Sequence, residues 1–562
     1  MTKSHDIVPD VHRVAWAIVV FLLPAILWAT PTAAPVADAA MQRDAEAVRA
    51  LLLNGADVNA AQGDGMTALH WASRNDDVEI ARMLVYAGAN VRATTRLGDY
   101  MPLHLAAKAG SAAVVSTLLE AGAPALATTS TGSAQAIHFA AAAGSAESVA
   151  ALLEHGADPD AREQARQQTP LMFAAAFDRV DVIRALVAGG ADVALSAEAI
   201  DIAAREAADR ADQRGEASRT VTQQGGYTAN EEEPLSYADL VGYHGGLTAL
   251  LHAVREGHTE SAMGLLEAGA DVNQPSAGEH TPPMLMAMLN GHFDLALNLL
   301  ERGADPNGAS AAGTTPLYAA LNAQWAPKSR YPQQYAYRQQ RAGYLDVMRT
   351  LLEAGADPDA RLTKHLWYMS YNFDLLRVDT KGATPFWRAA YALDVPAMRL
   401  LVSYGADPGL ATEKAPQRFR RQQDQDLDPS GLPVVPVGGP AIYPIHAASG
   451  VGYGQSFAAN AHRHVPDGWL PAVRYLVEEL GAEVNARDVN GYTPVHHAAA
   501  RGDNELILYL VERGAGVTAV SRRGQTTADM ANGPVQRIQP FLETLELLVR
   551  LGAINNDNCI SC

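Results

Sequence analysis

Two cysteines in 562 residues, both within the last four positions, cannot hold a disulfide framework together. Positive charge is also scarce. Lys and Arg number 43 against 62 Asp and Glu, a formal net charge of −19, which argues against a nucleic-acid partner gripped through a basic face. Aromatic residues make up only 6% of the chain, too few for a large core of bulky rings. Catalytic signatures are missing as well: no nucleophile elbow, no kinase signature, no H-E-x-x-H, and no Gly-rich phosphate loop after a strand. With no catalytic residue, cofactor or metal site to assign, the sequence points to binding rather than to catalysis.

What is present is repetition. The stretch NGYTPVHHAAARGDNELILYLVERGAGV at 490–517 is built from local signals. Asn490-Gly491 suits a turn, Thr493 suits a helix cap, and Pro494 suits a first helical position, where its missing N–H costs nothing. Ala498–Ala500 make a thin first helix. Leu506, Ile507, Leu510 and Val511 recur at helical spacing in a second, which Gly514 stops. The same phrase returns at 63–91, 132–161 and 169–193, and its closing element returns as EAGADVN (267–273), ERGADPN (301–307), EAGADPD (353–359) and SYGADPG (403–409). Uninterrupted copies recur every 33 or 34 residues.

That period, with T-P-L-H-x-A-A and L-L-x-x-G-A-D, resembles the ankyrin repeat family. The resemblance covers nearly everything after residue 36 and implies an all-α solenoid of about twelve helix-turn-helix repeats, with β-hairpin finger loops and several long insertions. Repeats one to five are expected over 35–194, six and seven over 246–309, eight and nine over 310–410, ten over 411–486, and eleven and twelve over 487–552. A solenoid packs each repeat only on its neighbours, so this length does not require several domains.

The insertions are unlike one another. Residues 195–245 have helical composition at first, then a Gly-rich, polar part with the acidic run Glu231–Glu233, read as a disordered loop. Polar, Pro-rich residues at 413–440 read as partly disordered too. The 325–373 region is different because aromatic residues crowd into it, including Trp325, Tyr335, Trp367 and Tyr371. Tyr and Trp bury large areas at low entropic cost, so these four are expected to anchor a protein partner.

The resemblance also implies a concave face lined by finger tips and the exposed side of each first helix. Its candidate contact residues are Tyr100, Lys108, Gln168, Phe177, Arg255, Tyr391, Tyr492 and Arg501. The histidines of the T-P-L-H position, His70, His104, His138, His446 and His496, are expected to bond turn backbone in their own or adjacent repeats. Met172, Leu251, Leu285, Tyr318 and Trp387 replace them elsewhere.

The N-terminus is different in kind. VAWAIVVFLLPAILWA at 14–29 has signal-peptide length and is shorter than the about 20 residues of a spanning helix. Small residues follow, with candidate cleavage sites at Thr32/Ala34 and Ala37/Ala39. A signal peptide over 1–34 is expected, leaving an exported, periplasmic or secreted protein with no stable span after cleavage. An uncleaved anchor is the rival. At the other end, Cys559-x-x-Cys562 in a 553–562 tail is expected to close a small disulfide loop. A redox or metal role in trans is the alternative, since the tail supplies too few zinc ligands alone. The expectation from sequence is a monomeric, non-catalytic scaffold for a protein partner. The rivals are a redox or metal-dependent accessory protein and a secreted effector acting on host proteins.

Overall fold

The computed structural model describes residues 34–217, 235–326, 336–366, 376–416, 428–454, 462–533 and 539–558. Twelve helix pairs follow one another along these segments, from Pro35–Met41 with Ala45–Leu53 to Thr527–Ala531 with Leu542–Arg550. Capping chemistry explains why they start where they do. Thr67, Thr315 and Thr384 accept from the third backbone N–H of the first helices Ala68–Arg74, Pro316–Trp325 and Pro385–Tyr391. Asp77, Asp394 and Asp503 do the same for the second helices Val78–Tyr86, Val395–Ser403 and Asn504–Glu512. Between the two helices of repeat four, Gly144 takes φ +90°, where a side chain would be strained.

The core grows lengthwise. Leu84, Leu118, Leu152, Leu186, Leu265, Leu299, Leu351, Leu401, Leu510 and Leu548 occupy one position of successive second helices, and all are fully buried. Burying each contributes about 1.5–3 kcal/mol. Alanine pairs such as Ala106–Ala107 and Ala140–Ala141 keep the first helices thin enough to stack. A second, smaller core lies under the fingers of repeats eight to ten, around Tyr318, Leu362, Leu376, Trp387 and Ile442.

Histidines tie the fingers together. The Nδ1 of His70 accepts from Thr67 N at 3.2 Å, while its Nε2 donates to Tyr100 O of the next finger at 2.9 Å. His104, His138 and His446 repeat the second bond to Ala127 O, Ala161 O and Ala486 O at 2.9, 3.0 and 2.9 Å. Burial pushes the pKa of all four down, so the rings are neutral.

Two insertions are more ordered than their composition suggests. In the first, Ala199–Asp201 pairs antiparallel with Tyr243–Gly245, with Ile200 opposite His244, and extends a finger. Helix Ile202–Ala217 follows the first strand and helix Tyr237–Val241 precedes the second. The loop reading of this part therefore fails from residue 236 onward. A Ser236/Asp239 capping box builds the short helix, with Ser236 Oγ donating to Asp239 Oδ2 at 2.6 Å and accepting from Asp239 N at 3.2 Å. Glu231–Glu233 lie outside the described residues. In the second, 428–440 is held by Arg522 of repeat twelve, which donates to Asp428 Oδ2 at 2.7 Å, Leu432 O at 3.2 Å and Pro433 O at 2.6 Å.

Candidate functional site

The residue after the T-P-L-H position is partly exposed on the first helices of the early repeats. In repeats two to five it is Trp71, Leu105, Phe139 and Phe173, all half-buried and 34 residues apart. Tyr100 sits against Phe139 with centroids 5.8 Å apart, and the Lys108 ammonium lies 5.9 Å from the Tyr100 ring centroid. Phe177 is 53% exposed beside Phe173 in sequence. Tyr100, Lys108 and Phe177 thus accompany an apolar stripe that the sequence reading did not name. Its signal was available as a large apolar residue recurring in the 34-residue register.

Over repeats six to nine the same face deepens into a groove of about 1060 Å³. One wall is the inserted finger segment Leu240–Tyr243. The first helix of repeat seven, Pro283–Leu289, contributes Leu289, and the rest includes Asn322, Tyr337 and Lys364. Lys364 Nζ lies 3.4 Å from Asp239 O, and burial lowers its pKa. A cavity of about 320 Å³ adjoins the groove toward repeat five, sharing Glu279 and Thr281 with it. Arg166, Gln168, His252 and Arg255 line this cavity, so the expected candidates Gln168 and Arg255 meet there. His252 is 4% exposed, with its Nε2 3.2 Å from Gln168 Nε2. Burial first, then the charges of Arg255 and Arg166, push its pKa down to about 4.

Other expected contact residues are not at the surface. Tyr391 is buried, stacked between Trp387 at 5.3 Å and His462 at 4.3 Å. The reason is that the insertion of repeat ten folds back over the array. His462 Nε2 donates to Tyr391 O at 3.0 Å, and its Nδ1 accepts from the Tyr453 hydroxyl at 3.2 Å. Arg501 is held by the same segment, its guanidinium 3.5 Å from the Trp469 ring centroid, and it donates to Asp503 Oδ2 at 2.6 Å and Ser449 O at 3.2 Å. Tyr492 is 1% exposed, and its hydroxyl donates to Gln525 Oε1 at 2.6 Å. These three are corrected from partner contacts to internal packing. Trp325 is half-buried and ties repeat eight to repeat nine, with Nε1 donating to Asp394 Oδ2 at 2.8 Å and its carbonyl accepting from Arg388 Nη2 at 2.6 Å. Tyr335, Trp367, Tyr371, Cys559 and Cys562 lie outside the described residues. Among the described residues no cluster of three His, Cys, Asp or Glu side chains could hold a metal ion. No helix among them is long and apolar enough to cross a membrane.

A repeat array presenting a finger-lined groove defines a class of binding scaffold. The chain belongs to the ankyrin repeat family. A family model for ankyrin repeats in three copies matches residues 36–129 and 103–197, one for many copies matches 457–511, and a single-repeat model matches 245–277. Two curated relatives share short stretches. An ankyrin repeat-containing protein of Schizosaccharomyces pombe is 44% identical over 48 residues, covering 8% of this chain and 23% of the relative. Protein phosphatase 1 regulatory subunit 27 of Mus musculus is 35% identical over 72 residues, covering 13% and 46%. The chain thus spans less than half the length of the curated relatives it matches. Among solved structures, the human ASB11 ankyrin repeat domain aligns at 24% identity with a TM-score of 0.36, over 49% of this chain and 100% of that one. Ankyrin repeats are scaffolds for protein–protein interaction, and this chain carries them from end to end of its described residues.

Proposed function

We propose that this protein is an exported, non-catalytic scaffold that seats a protein partner in the groove over repeats six to nine. One observation carries the reading. The groove is a large concavity, walled on one side by an ordered insertion and floored by small and apolar side chains such as Ala319, Ala323 and Leu289. Concave sites with an apolar floor and a few placed polar groups are where ligands bind.

Export rests on the apolar run at 14–29 and the small residues after it. The first helix, Pro35–Met41, already buries Val36, Ala37 and Ala40 completely, which favours processing at Ala34 over Ala39. N-terminal sequencing from the native host should give a chain starting near residue 35. A full-length chain in the membrane fraction would turn the reading to an anchor.

The binding test uses a variant that fills the groove. Ala323→Trp should abolish recovery of the partner taken from the native host by wild-type protein, with an unchanged melting temperature. Full recovery by the variant would place the partner elsewhere.

A further inference from the structure

The cavity at repeats five to seven is lined by a buried polar atom and by guanidinium donors that its neighbours leave unsatisfied. We infer that it is a carboxylate-binding pocket, and that it takes an acidic side chain from an extended segment of the partner lying along the groove. This rests on the groove reading above and names the partner's chemistry.

Three observations point to a carboxylate. First, two guanidinium groups with unused donors face one small cavity. Arg166 sits in the finger loop of repeat five, where the buried Glu163 carboxylate accepts from Ala165 N at 2.6 Å, Arg166 N at 2.8 Å and Gln168 N at 3.0 Å. The Arg166 carbonyl accepts from Glu198 N of the next finger at 2.8 Å. The backbone under this arginine is therefore fixed, while its side chain makes no hydrogen bond or ion pair among the described residues. Arg255, at the end of the first helix of repeat six, Ala249–Glu256, uses only its Nε, donating to Glu256 Oε1 at 2.8 Å. Arginine forks match carboxylate geometry through paired donors.

Second, His252, which lines the same cavity, holds an unsatisfied donor. Gln168 Nε2 donates to its Nε2, so the neutral ring carries its proton on Nδ1. That Nδ1 is buried and has no hydrogen-bond partner. A buried donor without an acceptor is costly, and a ligand oxygen would satisfy it.

Third, the two arginines act on the same end of the cavity as the unsatisfied donor. Glu198 and Glu279 also line this cavity, but apart from burial only Arg255 and Arg166 act on the His252 ring. Glu279 acts on Lys364, at the far side of the larger groove. The two guanidinium forks thus act at the His252 end, beside the two carboxylates that share the cavity. Because the cavity adjoins the larger groove at Glu279 and Thr281, a chain seated in the groove can place one side chain here and continue past it.

The test pans random twelve-residue peptides, displayed without a free C-terminus, on the full-length protein. Asp or Glu should be enriched at one fixed position. Panning Arg166→Glu/Arg255→Glu should remove that enrichment and select Lys or Arg in its place, with an unchanged melting temperature, since both side chains are at the surface. A selected peptide, N-acetylated and C-amidated, should bind about tenfold or more weakly after Glu→Gln at that position, as expected for a charge-assisted hydrogen bond. Peptides without an acidic preference, or a preference that survives in the double variant, would overturn the pocket while leaving the groove. A preference seen only with a library carrying free C-termini would overturn the side-chain source. No peptide enriched by wild type would overturn the groove reading, and the pocket with it.

Discussion

The indole Nε1 of Trp387 donates to the carbonyl of Ile442 at 2.9 Å. This is the bond that His70, His104 and His138 make to the next finger through Nε2. Trp387 therefore replaces the histidine in function as well as in position, although 55 residues separate it from its acceptor. One repeat earlier, Tyr318 occupies the same position, fully buried, and its hydroxyl finds no partner. Burial pushes that phenol up to about 12.

The two substitutions should thus go opposite ways. Trp387→Phe removes one of the two donors to the Ile442 carbonyl, the other being Thr412 N at 3.0 Å, and should destabilise by about 1 kcal/mol. Tyr318→Phe removes an unsatisfied hydroxyl and should be neutral or stabilising by about 1 kcal/mol. Urea unfolding followed by hydrogen exchange in repeats eight to ten reads both. A Tyr318→Phe variant as damaged as Trp387→Phe would show that the tyrosine has a partner after all.

A second prediction concerns the turns after the second helices. Asn59, Asn273, Asn307 and Asn485 each accept from the next repeat through Oδ1 and donate Nδ2 to a glycine carbonyl, as Asn307 does to Gly355 O at 2.9 Å. Asp160 and Asp359 hold the same place and can only accept, from Asp192 N at 3.0 Å and Asp407 N at 2.9 Å. Burial, with neighbouring carboxylates adding to it, raises both pKa values. Asp160→Asn and Asp359→Asn should each stabilise by about 0.5 kcal/mol at neutral pH, because the missing donor is supplied. A raised carboxyl pKa means the folded state holds the proton more tightly. The gain over wild type should therefore shrink as pH falls and the aspartates protonate. Thermal melts at pH 7 and pH 4 check both statements.

How much of this was legible follows from where each contact lies in sequence. Caps, turns and the leucine register depend on neighbours within a few residues, so Thr493, Pro494 and Leu510 announced their repeat directly. Tyr391 and Arg501 did not, because their burial depends on His462 and Trp469, which return to the array only after an insertion. His462 reaches Tyr391 O across 71 residues. The groove was illegible for a related reason. Its wall at Leu240–Tyr243 depends on a strand pairing between Ala199–Asp201 and Tyr243–Gly245, at the two ends of a segment whose composition reads as helix and then loop, with no strand signal. The Ser236-x-x-Asp239 box was the one local clue to that order.

A third prediction follows from the buried histidines. Unfolded rings take up protons near 6.5, while His252 and His446 are held down to about 4 and His496 to about 3, in each case chiefly by burial. A lowered histidine pKa means the unfolded chain binds more protons. The stability these rings contribute is intact above about pH 6.5 and is lost as pH falls toward 4. The urea midpoint should fall steadily between pH 7 and pH 5. His446→Gln should be less stable at pH 7 yet show a pH slope smaller by about one proton. A midpoint that stays flat over that range would contradict the buried-neutral assignment.

The central claim is that a protein partner lies in the groove over repeats six to nine, and site-directed photocrosslinking in the native host tests it most directly. A photoreactive phenylalanine analogue at Leu289, which lines the groove, should yield one discrete protein adduct. The same analogue at Tyr86, 96% exposed on a second helix, should yield none. An adduct at position 86 with none at 289 would contradict the account.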